Sequence, residues 1–399
     1  MMRSTMWTVR ARRLVTADGP EDAPLGVRED VVLRIAEGKV DAIIPADDHL
    51  SGVDVATDLV TPGLVDAHTH AAWVGQRGEE YAMRLAGADY EAIGAAGGGI
   101  VASTRAVRSA TIGDVAETLT ARLRRMARLG VTTVEVKSGY GLDEASERKQ
   151  LEAMARVGED TRLPGVVPTF LGLHAVPSGE DPDAYARACA GWLDGIAADG
   201  LARFVDAYVD RNAFSVEQAR PVLEKARELG LGVRAHVGQF ADVGGAEMAA
   251  ALGAASVDHV ENISPEGVAA LAEAGTAAVM LPVASFTLGQ TPPPVSALRD
   301  GGVKLVVASD ANPGTAPTES LPLAMAFAAR QYGMTLSEVI LGATRWAALS
   351  LGLPDRGRVF EGGPADLVGW DLSREAELLQ PWGTPMTRWV MRDGRLIVG

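Results

Sequence analysis

Hydrophobic and polar positions change their pattern twice along this chain. From residue 5 to about residue 60, short β-like runs such as 8–9, 31–35 and 40–44 alternate with Gly, Pro and Asp. From about residue 62 to 353, short apolar runs alternate with segments whose apolar residues recur at helical spacing. Val115, Leu119, Leu123 and Met126, at i, i+4, i+8 and i+11, are one such stripe. After Pro354 short strands return at 365–370, 388–391 and 396–398, with Arg392-Asp393-Gly394 as a hairpin signal.

The middle section divides into eight strand–helix units. Strands are predicted at 60–70, 131–138, 165–174, 204–210, 232–238, 256–261, 277–283 and 304–311. Helices are predicted at 112–129, 143–157, 215–229, 247–252, 265–274, 321–332 and 337–351. Gly130, Gly230, Gly253 and Gly275 stand where left-handed C-terminal caps belong. The fold class is therefore α/β: a (β/α)8 TIM-like barrel with a small β-sandwich domain formed by both termini. An open doubly wound sheet is the competing architecture. The expected division is residues 1–61 plus 355–399 for the sandwich and 62–354 for the barrel.

Composition narrows the class. With 47% hydrophobic and 22% charged residues the chain is an ordinary globular protein and not a disordered one. Its 37 Lys+Arg against 52 Asp+Glu give a net charge of −15, which disfavours nucleic-acid and membrane-surface partners. No segment reaches the roughly 20 consecutive apolar residues of a membrane span. Residues 1–15 hold four arginines but no signal-peptide core, and the single cysteine, Cys189, suits a reducing compartment. A cytoplasmic setting is expected.

Barrel chemistry resides at the C-terminal ends of the strands. Five of the six histidines fall there: His68, His70, His174, His236 and His259, and Asp310 ends the eighth strand. Only His49, read as solvated surface, lies elsewhere. His68 and His70 share one face of a strand, a spacing that lets two imidazoles bind one ion. With His236 and Asp310 they form a nitrogen–oxygen ligand set suited to one divalent metal, Zn²⁺ or Fe²⁺, with Mn²⁺ also possible. Such an ion lowers the pKa of water to about 7. Asp310 could take the water's proton, and His259 could polarise the attacked carbonyl or stabilise its oxyanion.

With these residues in view, the chain resembles the amidohydrolase superfamily over about residues 60–348. The broad motif is Pro62-Gly63-Leu64-Val65-Asp66-Ala67-His68-Thr69-His70. Narrower matches are Gly75-Gln76-Arg77, Gly97-Gly98-Gly99-Ile100, Lys137-Ser138-Gly139-Tyr140-Gly141-Leu142, Leu171-Gly172-Leu173-His174-Ala175 and Asp310-Ala311-Asn312-Pro313-Gly314-Thr315. The resemblance implies that His68, His70, His236 and Asp310 bind the metal. It places Asp310, His259, His174 and Gln239 in the catalytic machinery, and Arg77, Tyr140, His174, Gln239, Asn312, Gly314 and Thr315 against the substrate. The implied reaction opens the ring amide of 4-imidazolone-5-propionate to N-formimino-L-glutamate, and the implied assembly is a homodimer.

A propionate tail independently requires a cation, and Arg77 offers a bidentate fork. Gln239 is an amide and cannot act as a general base, so proton transfer falls to Asp310 and His259. The fourth strand has no lysine able to become a carbamylated bridge, which favours one metal over two. Two other classes compete. A deaminase on the same barrel needs a carboxylic acid near the strand-5 histidine, and Gln239 does not supply it. A non-catalytic binding barrel would have lost ligands, and all four are present. Cys189 reads as a buried small hydrophobe.

Overall fold

The structure, a computed structural model, describes residues 6–46, 52–87, 98–211 and 213–399; His49 lies outside them. The chain opens with β1 (Trp7–Leu14), β2 (Arg28–Ala36), β3 (Lys39–Pro45) and β4 (Val55–Pro62). Eight strands follow: β5 (Leu64–Asp66), β6 (Val131–Lys137), β7 (Gly165–Leu173), β8 (Phe204–Val209), β9 (Gly232–Val237), β10 (Ser256–His259), β11 (Ala277–Met280) and β12 (Leu305–Val307). The chain ends with β13 (Leu367–Trp370), β14 (Thr387–Arg392) and β15 (Arg395–Val398).

Strands β5 to β12 pair in chain order, each parallel to its sequence neighbour. The sheet closes where the ends of its first and last strands meet. Thr69 bridges Ala311 in parallel, His70 N–H donates to Ala311 O at 3.0 Å, and Asp310 N–H donates to His68 O at 3.1 Å. Below this seam buried Asp66 accepts from the Ser309 N–H at 3.0 Å and the Ser309 hydroxyl at 2.6 Å. Closure removes the free edges that an open sheet would leave, and it decides between the two architectures.

Both termini enter a second sheet of order β15-β14-β13-β4-β1-β2-β3, the separate terminal β-layer expected from the sequence. Val9, Leu33, Ile35, Val40, Leu367 and Met391 belong to its own apolar cluster. The turn between β14 and β15 has positive φ at both central residues, Asp393 (47°) and Gly394 (71°), as a type I′ hairpin requires.

Several expectations needed adjustment. The first predicted strand, 60–70, divides between the two sheets at Gly63, where an added Cβ would stand 2.1 Å from Thr132 Oγ1. The last predicted helix, 337–351, is two helices, Leu336–Gly342 and Arg345–Ser350. The break frees the Ala343 carbonyl to accept from Val65 N–H at 2.8 Å, tying that helix pair to the first barrel strand. A helix at Pro182–Ala198, capped by Asp181, was not evident from apolar periodicity because alanines dilute its stripe. Predicted strand 277–283 ends at Met280 and a helix, Pro282–Leu288, takes over, and the helices Gly78–Leu85, Ile100–Ser109 and Val295–Asp300 were also not predicted. Thr111 and Asp114 form a capping box ahead of Ile112–Ala127, whose buried face holds Val115, Leu119, Leu123 and Met126.

Candidate metal centre and active site

The strands stop where the chemistry starts. Predicted strands 256–261 and 304–311 end early, at His259 and Val307, because His259 (φ 84°), Val260 (φ 63°) and Asp310 (φ 53°) turn into left-handed backbone. Non-glycine residues in that region are uncommon, and they concentrate at functional sites.

His68, His70 and His236 each offer a ring nitrogen within 4.8 Å of the others. Asp310 Oδ1 stands 3.4 Å from His68 Nε2 and 3.5 Å from His70 Nε2. The Nε2 atoms of His70 and His236 face each other at 3.5 Å. All four side chains are buried, and His68 Nε2 and Asp310 Oδ1 have no hydrogen-bond partner. Buried polar atoms are rarely left so. Four converging acceptors without donors between them fit a cation.

The outer contacts prepare these nitrogens. His68 Nδ1 donates to Asp258 Oδ2 at 2.7 Å and His236 Nδ1 donates to Asp206 Oδ1 at 3.0 Å. A carboxylate on Nδ1 fixes the proton there and leaves Nε2 as the free lone pair. Between the two carboxylates sits Lys137, whose Nζ donates to Asp206 Oδ2 at 2.7 Å and Glu135 Oε1 at 2.8 Å, with Asp258 Oδ2 at 3.5 Å. Arg234 reaches Asp258 at 3.5 Å from the other side. None of these five side chains is exposed. Burial works against the Lys137 charge, and Asp206, Glu135 and Asp258 more than restore it, holding the ammonium above its usual range. Sequence reasoning passed over Asp206, Asp258 and Arg234. The available signal was a charged residue set within an otherwise apolar barrel strand.

The loop after β6 carries Tyr140 and is moulded by buried Glu147, which accepts from the N–H groups of Gly139, Gly141 and Leu142 at 2.7–2.8 Å. Tyr140 thereby comes within 5.9 Å of the His70 ring and 5.4 Å of the His174 ring, centre to centre. His174 stacks on His70 at 4.9 Å. Its Nδ1 donates to Gly139 O at 2.8 Å, which leaves Nε2 as an acceptor. Burial and the neighbouring His236 press the His174 pKa down to about 4. The unfolded chain therefore binds this proton near pH 6.5 while the folded one resists it. Stability contributed by neutral His174 is full above pH 6.5 and is lost as pH falls through about 4. Thermal midpoints of the His174→Gln variant should decline less over that window than those of the unaltered protein; parallel curves would contradict this.

Three other expected residues gather at a cavity apart from the histidines. Arg77, Asn312 and Gly314 line a cavity of about 800 Å³ together with Trp73, Glu80 and Leu323, and none of His68, His70, His174, His236 and His259 lines it. Arg77 Nε and Nη2 engage Glu80 at 2.8 and 2.6 Å. An added Cβ on Gly314 would stand 2.7 Å from Arg77 Nη1, so only glycine lets the arginine lie there. Asn312 holds its own loop: its Oδ1 accepts from the N–H groups of Gly314 (2.8 Å) and Thr315 (2.7 Å), the two donors expected to face substrate. Gln239 is buried, and its Oε1 accepts from the Tyr208 hydroxyl at 2.5 Å. Tyr208, on β8, was not singled out from the sequence. Cys189 is buried and unpaired.

A closed eight-stranded barrel with this ligand cluster at its mouth defines a class, and comparison with known proteins agrees. Residues 59–397 match the amidohydrolase family. The imidazolonepropionase of Polaromonas sp. is 42% identical over 395 residues, covering 96% of this chain and 93% of that protein. That of Stenotrophomonas maltophilia is 44% identical over 383 residues, covering 94% and 93%. Among solved structures, an adenosine deaminase from Xanthomonas campestris with bound zinc superposes with a TM-score of 0.73 at 18% identity, covering 98% of this chain and 92% of that one. A triazine hydrolase variant gives 0.74 at 18%, covering 98% and 94%. The chain belongs to the amidohydrolase family and, within it, to the imidazolonepropionases. Membership implies a divalent metal, and the donor set described above fits one. Among the described residues no helix is long and apolar enough to cross a membrane.

Proposed function

We propose that this protein hydrolyses the ring amide of 4-imidazolone-5-propionate to N-formimino-L-glutamate. The observation that carries the reading is the convergence of His68, His70, His236 and Asp310 on one buried point, with His68 Nε2 and Asp310 Oδ1 unpartnered there. These four residues would hold one divalent ion through the three Nε2 atoms and the Asp310 carboxylate. Zinc or iron suits nitrogen donors with one carboxylate. When bound, the ion acidifies water and polarises an amide carbonyl.

The remaining work falls to the chain. Asp310 takes the proton of the attacking water and returns it to the ring nitrogen as the C–N bond breaks, so the ring opens without a free amide anion. His259 faces the carbonyl oxygen and stabilises the charge that develops there. Gln239, its oxygen held by Tyr208, has its –NH₂ group left to donate and serves to orient substrate. His174 and Tyr140 border the ring. Arg77, steadied on one edge by Glu80, receives the propionate on its remaining Nη1 edge. A homodimer in the cytoplasm completes the reading; the single, buried and unpaired cysteine suits a reducing compartment.

Metal-replete protein given 4-imidazolone-5-propionate should yield N-formimino-L-glutamate, and a chelator should stop turnover until zinc or iron is restored. Release of ammonia in place of the ring-opened product would point to a deaminase instead. Failure to turn over with metal bound and the fold intact would remove the substrate assignment. Arg77→Ala should raise KM for the propionate-bearing substrate roughly 10–100-fold, the worth of a charge-assisted hydrogen bond, and change that for a neutral imidazolone little. Equal losses on both would take Arg77 out of the carboxylate site.

A further inference from the structure

Behind His259 lies a buried polar chain for which the reaction as derived has no use. Tyr332 donates its hydroxyl to Ser285 Oγ at 2.6 Å, and Ser285 donates in turn to Glu261 Oε1 through a very short contact. That fixes one oxygen of the Glu261 carboxylate. The other, Oε2, has no hydrogen-bond partner, and neither does His259 Nδ1; the two atoms face each other at 3.7 Å. Both side chains are almost wholly buried, at 4% exposure for His259 and 1% for Glu261. A buried carboxylate oxygen and a buried ring nitrogen left unpaired each carry a desolvation penalty. A shift of under about 1 Å would turn their approach into an ordinary hydrogen bond.

The backbone that carries this pair departs from a regular strand. His259 and the β-branched Val260 both adopt positive φ, 84° and 63°, a costly pair of conformations. They are pinned by Val260 N–H donating to Val237 O at 3.0 Å and Asn262 N–H to Gly238 O at 2.8 Å. Glu261 is thus held on a rigid, strained turn with its carboxylate clamped by Ser285.

We propose that Glu261 is a positioning residue for His259: its Oε2 accepts the His259 Nδ1–H, fixing the ring so that Nε2 is the atom presented to the reacting amide. This rests on the reading that His259 meets the carbonyl. The partnership parallels those of His68 with Asp258 and His236 with Asp206, but it serves a histidine that is no ligand. No bond is made or broken by Glu261 itself.

The test begins with the unaltered, zinc-loaded protein. ¹⁵N spectra of labelled histidine, with His259 assigned by comparison with His259→Asn, should show a proton on Nδ1; a sole proton on Nε2 would overturn the proposal. Glu261→Leu should lower kcat on the order of 10–100-fold, as loss of a histidine-orienting carboxylate does, with KM changed by less than about twofold. Glu261→Gln keeps an acceptor oxygen, so it should retain the Nδ1 proton and kcat within about threefold. A folded Glu261→Leu protein with unchanged kcat would also overturn the proposal. Wild-type turnover by His259→Asn would instead remove His259 from the reaction, while the tautomer measurement would still decide whether Glu261 holds the ring.

Discussion

Asp310→Asn is expected to lower turnover on the order of 10²–10⁴-fold, the usual worth of a positioned general acid–base group. An amide cannot accept the water's proton, and it is a poorer partner for a cation than a carboxylate. Asp310 has φ 53°, and Asn is among the few residues that enter this region readily, so the backbone should survive the exchange. Asp310 N–H still donates to His68 O and keeps the barrel closed. The check is kcat alongside metal content and a thermal midpoint. A fully folded, metal-loaded variant with turnover within about tenfold of normal would show that the proton moves elsewhere, and His259 would be the next group to test.

Lys137→Met should be the most damaging change outside the ligands. It removes the cation lying between Glu135, Asp206 and Asp258 in a region with no exposed side chain. Breaking one side of a buried ion network leaves uncompensated charge, at a cost of about 3–5 kcal/mol. Arg234 would remain beside Glu135 at 4.0 Å and Asp258 at 3.5 Å, and Asp206 would keep His236. The loss should appear as a lowered denaturant midpoint, and the paired variant Lys137→Met with Glu135→Gln should recover part of it. A midpoint unchanged by Lys137→Met would mean that the carboxylates take up protons and that the network holds less charge than its geometry implies.

Much of this site was legible in one dimension because its converging side chains are mostly histidines at strand ends. The His68-x-His70 spacing puts both rings on one face, and strand order alone predicts that His236 and Asp310 reach the same mouth. What could not be read is the layer beneath. Lys137, Asp206 and Asp258 come from β6, β8 and β10, alternate strands that share one layer of a barrel interior. Each alone looks like an isolated charge in an apolar run, and only closure of the sheet makes them neighbours. The predicted strand 256–261 would put His259 and Glu261 on one face, as 60–70 puts His68 and His70. The strand instead ends at His259 in a left-handed turn at 259–260, and Val260 is a residue whose identity argues against that conformation. Asn312 shows the reverse difference: its motif marked it for the site, and its bonds show that it builds the loop against which Arg77 rests.

The seam where Thr69 meets Ala311 also bears on how the protein assembles. His68 and His70 flank Thr69 just past the end of the first barrel strand, while Asp310 follows the last, some 240 residues later in the chain. No early, locally folded fragment can contain the full ligand set. A cation bound across the seam would therefore reward only the finished barrel, adding its binding energy to the contact of longest sequence separation. Loading the centre and completing the fold become a single late event, with the cofactor acting as the clasp on a ring that the polypeptide must first bring round.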